Sequence, residues 1–150
     1  MDLATLEAQE TRLILPRFTE DTALALGLLL VERARKEGLA VVIDLRTPDR
    51  TLFHAAMPGA APLNDLWALR KSNTTLMYLM SSLRVGVRYR ETGGSLAANG
   101  LDPLLYADHG GSFPLRVAGV GVVGAVTVSG LPQLEDHAVA VAALAALIGG

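Results

Sequence analysis

The segment from His109 to His137, HGGSFPLRVAGVGVVGAVTVSGLPQLEDH, constrains the fold more than any other part of the chain, because two β-rich runs, a turn and a helix start follow one another without interruption. Ser112 to Val117 and Val120 to Val128 are apolar, β-branched stretches separated by Ala118-Gly119, where glycine supplies the positive φ of a two-residue hairpin turn. With that turn, Val117 opposes Val120, Leu115 opposes Val122 and Phe113 opposes Gly124. Period-two alternation then gathers these residues with Val126 and Val128 on a core face. The opposite face carries Ser112, Pro114, Arg116, Gly121, Val123, Ala125, Thr127 and Ser129. It is small and partly polar, as expected where a helix, a ligand or a second subunit comes close. Continued past Ser112, the pairing brings His109-Gly110-Gly111 beside Val128-Ser129-Gly130, at the entry to the last helix.

Two short motifs in this segment are accidental. Gly119 to Gly124 matches G-x-G-x-x-G but lies in a hairpin turn and runs on into a strand, whereas a dinucleotide fingerprint must join a strand to a helix so that the pyrophosphate meets the helix N-terminus. Thr127-Val128-Ser129-Gly130 lacks the first glycine of a nucleophile elbow, so Ser129 reads as a strand-end hydroxyl.

A chain of 150 residues fits one domain, 1–150, with residues 1–18 as an accessory N-terminal segment. Hydrophobic residues make up 51% and charged residues 19%, a balance that leaves little polar surface for a monomer and points to a homo-oligomer. A formal charge of -2 and the lack of a basic stripe argue against nucleic acid as a partner. With no cysteine, thiolate metal sites, thiol nucleophiles and Fe-S clusters are excluded. The start MDLATLEAQE is acidic and does not read as a signal peptide, and the apolar run Ala138 to Ile148 is far shorter than the roughly 20 residues of a membrane span. A cytoplasmic protein without a membrane partner is expected.

Along the rest of the chain, Asp2 can cap a short helix over Leu3 to Glu10. Thr19 N-caps a long helix with Glu20 and Asp21 in its first turn, Arg33, Arg35 and Lys36 in its last, and Gly38 at its stop. Leu39 to Leu45 and Thr51 to Met57 form a second hairpin around Thr47-Pro48-Asp49-Arg50. A further helix runs from Pro62 or Asn64 to Met80, with Leu66, Leu69, Asn73, Leu76 and Met80 along one side. Leu83 to Tyr89 reads as helix, although its alternation also fits a strand. Asp102-Pro103 can start a short helix through Asp108. The last helix opens at Pro132, with Glu135 and Asp136 at its positive end, and is apolar nearly all round, so both its faces are expected to be covered.

The stretches LFHAAMPGAAPLNDLWALRKSNT (Leu52 to Thr74) and HGGSFPLRVAGVGVVGAVTVSGLPQLEDH resemble the haem-degrading-domain-like family, small proteins related to an extracellular haem-binding sensor component. The resemblance extends from about Thr19 onward and is most specific in HGGSFP and VSGLPQxEDH. It implies an α+β fold, a profilin-like three-layer α-β-α sandwich with a central antiparallel sheet of about five strands. It also implies assembly into rings or larger oligomers and, for some members, haem binding or breakdown. The residues themselves place only four strands.

The candidate ligand-binding set is His109, Gly110, Gly111, Ser129, Gly130 and His137, joined by Arg70 and Lys71 one turn after Trp67. Free backbone donors at a helix start suit an anion, so haem propionates or a small carboxylate fit, and a neutral imidazole can ligate haem iron. Either histidine can instead satisfy cap groups at a turn, and Arg70-Lys71 can be a solvated helix face. No metal-ligand set is legible, and no matched acid–base or nucleophile–base pair points to a reaction. His54 reads as a half-buried packing residue and Asp44 as a strand-end residue serving the following turn. The leading functional reading is a module for haem or a small anionic ligand; the alternative is a non-enzymatic oligomeric adaptor.

Overall fold

A computed structural model describes residues 1–149. In chain order the elements are α1 (Leu3–Arg12), β1 (Ile14–Leu15), α2 (Glu20–Glu37), β2 (Val42–Arg46), β3 (Thr51–Ala56), α3 (Pro62–Tyr78), α4 (Ser82–Thr92), β4 (Ser112–Val117), β5 (Gly121–Ser129) and α5 (Gln133–Gly149). A 3₁₀ turn at Ala97–Asn99 interrupts the long loop after α4. The helix after Thr19 forms for the reasons its sequence gives. The Thr19 hydroxyl accepts from the Thr22 N–H, the Thr22 hydroxyl accepts from the Thr19 N–H, and Gly38 closes the helix in the left-handed region at φ 67°.

The strands make one five-stranded sheet in the order β1-β4-β5-β2-β3. Three pairings are antiparallel, but β1 adds to the edge in parallel, with Ile14 opposite Arg116 and Leu15 opposite Val117. The sheet is therefore mixed rather than wholly antiparallel. This fifth strand could not be placed from the sequence because two residues carry no periodicity.

The β4–β5 hairpin is offset from the expected pairing. Phe113 faces Val126 and Leu115 faces Gly124, because the loop takes three residues, Ala118 to Val120, and a bulge lies between Leu115 and Arg116. Beyond the bulge a slip of two residues keeps parity, so Phe113, Leu115, Val126 and Val128 stay on the core face, all at most 1% exposed. Between the bulge and the turn the slip is one residue and parity is lost: Val122 lies opposite Arg116, Val123 packs against the core in its place, and Val120 is 72% exposed. That face packs against Ala23, Leu26, Leu30 and Ala34 of α2 and Ala140, Ala143 and Leu144 of α5. The small polar face is covered by α3 of the same chain. There the Ser72 and Thr127 hydroxyls lie 2.8 Å apart, and Thr127 donates to Ser112 at 2.9 Å. The result is a three-layer α-β-α sandwich of the α+β class.

Two helix expectations need correction. The stripe Leu66, Leu69, Asn73, Leu76 and Met80 is not the buried side of α3, and Leu66 is 58% exposed; Ala68, Lys71, Ser72, Thr74 and Thr75 turn inward instead. A sheet face of serine and threonine accepts small and hydroxyl-bearing partners and leaves the leucines outside. Asp102 to Asp108 closes one turn but forms no helix, because the Ala107 N–H is taken by the Arg70 carbonyl and the Thr74 hydroxyl. The stretch from Leu83 to Tyr89 is helical, within α4. Among the described residues no helix is long and apolar enough to cross a membrane.

Candidate functional site

Asn64, Trp67 and Lys71 follow the i, i+3, i+7 spacing of one helical face, and this edge of α3 passes the C-terminal end of β5. Together with His109, Ser129, Gly130, Leu131, Gln133 and Asp136 they line a cavity of about 220 Å³. The shifted hairpin register still delivers the loop here, because the Gly111 carbonyl accepts from the Val128 N–H at 2.9 Å.

The floor of the cavity is a buried ion pair. Lys71 Nζ lies 3.0 Å from Asp136 Oδ2, with the two side chains 5% and 1% exposed. Asp136 also accepts from the backbone N–H groups of Leu131 at 2.9 Å and Gly130 at 3.3 Å. The carboxylate thus occupies donors that the sequence offered to a ligand anion. Burial pushes the Lys71 amine below its ordinary value and the Asp136 carboxyl above its own, while the attraction between them opposes both shifts.

His109 stands at the rim with its side chain 48% exposed and packs edge-on against Trp67, the ring centroids 5.0 Å apart. Burial lowers its pKa; Asp108 pulls the other way, and the positive charges of Lys71, Arg90 and Arg70 add to the lowering. The imidazole is therefore neutral near pH 7, with a nitrogen lone pair free for a ligand. Arg70 does not line the cavity. Its guanidinium lies 4.4 Å over the Trp67 ring and donates twice to the Pro103 carbonyl, at 3.1 and 2.8 Å, so it fixes the indole from behind.

Of the residues singled out from sequence, His109, Ser129, Gly130 and Lys71 meet at the cavity. Gly110 and Gly111 stand behind its wall, where the Gly110 N–H donates to Gln133 Oε1 at 2.9 Å. His137 is turned away. It is fully buried, with Nε2 2.7 Å from Gln9 Oε1 and its ring against Phe113, and burial drives its pKa down to about 4. Neighbouring residues on a helix point about 100° apart, so the cavity receives Asp136 or His137 but not both. Lys71 is no solvated surface residue, at 4% exposure. Asp136, Trp67, Asn64, Leu131 and Gln133 were not picked out as site residues. Asp136 carried a signal in its place three residues into the helix, where a side chain can reach back to the entering backbone.

A second polar cluster lies at the N-terminal end of α3, beside Asn64. Asp44 is fully buried inside β2, not at a strand end, and accepts from Arg46 Nε at 2.6 Å and Nη2 at 2.8 Å. His54 joins Asp44 through Nδ1 and Asp65 through Nε2, each at 2.7 Å. His54 is thus an ionic clamp between the edge strand and the first turn of α3, not a packing residue. Burial disfavours its charged form, but hydrogen bonds and attraction from Asp44 and Asp65 outweigh this and raise its pKa.

Fold and cavity together define a small α-β-α sandwich with a half-open polar pocket where its last strand enters its last helix. The sequence profile of the family described as "Haem degrading protein HbpS-like" matches residues 18–145, and the chain belongs to that family. It is 55% identical over 148 residues to a UPF0303 protein of Streptomyces coelicolor, covering 98% of this chain and 94% of that one. Among solved structures, Ybr137w superposes with a TM-score of 0.89 at 31% identity, over 99% of this chain and 88% of that one. PduOC, solved as a heme complex, superposes with a TM-score of 0.74 at 21% identity over 86% and 94%, a likeness of fold alone.

Proposed function

We propose that this protein binds a small planar anion in the cavity between α3 and the start of α5. The carrying observation is the pairing of a neutral, half-exposed His109 with Trp67 amid the positive charges of Lys71, Arg70 and Arg90. An aromatic wall, one imidazole N–H donor and nearby cationic side chains suit a carboxylate carried on a flat ring. At about 220 Å³ the cavity is smaller than the roughly 300–1,000 Å³ that encloses drug-sized ligands. It therefore takes a substituted ring or the propionate edge of a haem, not a whole macrocycle.

The family description and the heme complex of PduOC make haem the first ligand to try. In that case His109 would hold the iron at the rim and Lys71 would face a propionate, the iron supplying any redox chemistry. The test is titration with haem and with benzoate, read by the Soret band and by the fluorescence of Trp67, the chain's one tryptophan. Binding of either that His109→Ala weakens at least about tenfold supports the reading. No binding of either below about 100 μM, equivalent to about 5.5 kcal/mol, defeats it.

Homo-oligomeric assembly and a cytoplasmic location belong to the same proposal. Leu63 and Leu66 on α3 and Leu28 on α2 are 61%, 58% and 60% exposed, so apolar surface remains for another copy to cover. If neither ligand binds, these same surfaces favour the adaptor reading.

A further inference from the structure

We propose that Lys71 is a carbonyl-reactive amine, forming a reversible imine with a small 2-oxo acid held in the α3–α5 cavity. The inference rests on the reading that this cavity takes a small anion. It adds that the anion carries a carbonyl group beside its carboxylate.

The choice of residue is the first observation. The chain has eleven arginines and two lysines, so arginine supplies its positive charge almost everywhere. The lysine at 71 is the exception that is buried, and it lines the cavity. An arginine there would match the Asp136 carboxylate in two-pronged fashion and hold the helix start at least as well. What a guanidinium cannot do is give up its proton and attack a carbonyl carbon, and an ammonium can.

The second observation is how Lys71 is held. Among the described residues Asp136 is the only hydrogen-bond partner of Nζ, so an ammonium with three donors uses one of them. The carboxylate lies 3.0 Å away, where it can take a proton from the ammonium and return it. Burial disfavours the charge on both members, which brings the neutral amine within reach.

The step balances without a further reagent. Asp136 accepts a proton from the Lys71 ammonium, and the freed nitrogen pair bonds to the carbonyl carbon. The carbonyl oxygen collects the proton that Asp136 received and a second one from the nitrogen. The C–O bond breaks, water leaves, and a C=N bond remains. Nothing is oxidised or reduced.

The second lysine makes the test internally controlled, because Lys36 lies exposed in the last turn of α2. The wild-type protein is incubated with benzoylformate, reduced with borohydride and digested, and the adduct is mapped by mass spectrometry. At least about tenfold more adduct on Lys71 than on Lys36 or the amino terminus is expected, with none at position 71 in K71R. Trp67 fluorescence is followed in parallel with benzoate, which has the ring and carboxylate but no ketone. Quenching by both acids with no adduct on Lys71 overturns the imine and leaves the cavity reading standing. No quenching and no adduct overturns both. An adduct spread evenly over both lysines and the amino terminus is solution chemistry and overturns the proposal.

Discussion

Lys71 and Asp136 stand 65 positions apart and meet 3.0 Å apart beneath the cavity, the α3 side chain joined to the first turn of α5. Their contributions are unequal. Asp136 keeps two backbone donors if Lys71 is removed, whereas Lys71 loses its only partner among the described residues if Asp136 is removed. Asp136→Ala should therefore cost about 3–5 kcal/mol and Lys71→Met clearly less, with the double variant costing less than the sum of the two. Urea denaturation of the four proteins measures this, and additive losses would show that the pair is not coupled.

The histidines give stability two opposed pH limbs. The folded pKa of His54 is raised above its ordinary 6.5, so its contribution is complete below that value and is lost as pH rises through the raised one. The folded pKa of His137 is lowered to about 4, so its buried neutral form is no burden above 6.5 and becomes one as pH falls from 6.5 to 4. That acid limb amounts to about 3 kcal/mol. His54→Gln should flatten the alkaline limb and His137→Leu the acid limb in denaturation series between pH 4 and 9. Curves unchanged in shape would contradict the assignment.

The two faces of β5 predict different outcomes for neighbouring residues. Val126→Asp places a charge among fully buried aliphatic residues and should leave the protein unfolded or insoluble. Thr127→Val removes one hydroxyl from a chain in which Ser72 still donates to the Ala68 carbonyl. A folded protein weakened by about 1–2 kcal/mol is expected, measured by thermal melting.

Gly111 has φ 141°, and a side chain there would strike the Val128 carbonyl and come within 2.9 Å of Lys71 Nζ. Gly111→Val should therefore lower Tm by several degrees as well as disturb the cavity. Gly119→Ala is the control, since φ is 74° but nothing lies near the added carbon, and only backbone strain should register. Equal losses would mean that contact at Gly111 adds nothing.

What the sequence by itself determined is whatever depends on local periodicity and local caps. Thr19 and Gly38 bound α2 because a hydroxyl and a glycine satisfy helix ends wherever they occur. The parity of β4 and of β5 from Gly124 onward followed from alternation and survived a slip of two residues, but the bulge exchanged the faces of Val122 and Val123 nearer the turn. The resemblance identified the family correctly, and the residues around HGGSFP carried it.

Tertiary structure decided what depends on partners distant in the chain. The edge strand Ile14–Leu15 exists because β4 is there to pair with it. The buried side of α3 was settled by the hydroxyl face of the sheet, which admits Ser72 and Thr75 and turns Leu66 outward. Lys71 became a cavity residue, and His54 an ionic clamp, because carboxylates 65 and 10–11 positions away were brought beside them. A charge reads as surface in a sequence until its counter-charge is placed, since burial is tolerable only for the pair. That placement is a property of the packed sheet and helices.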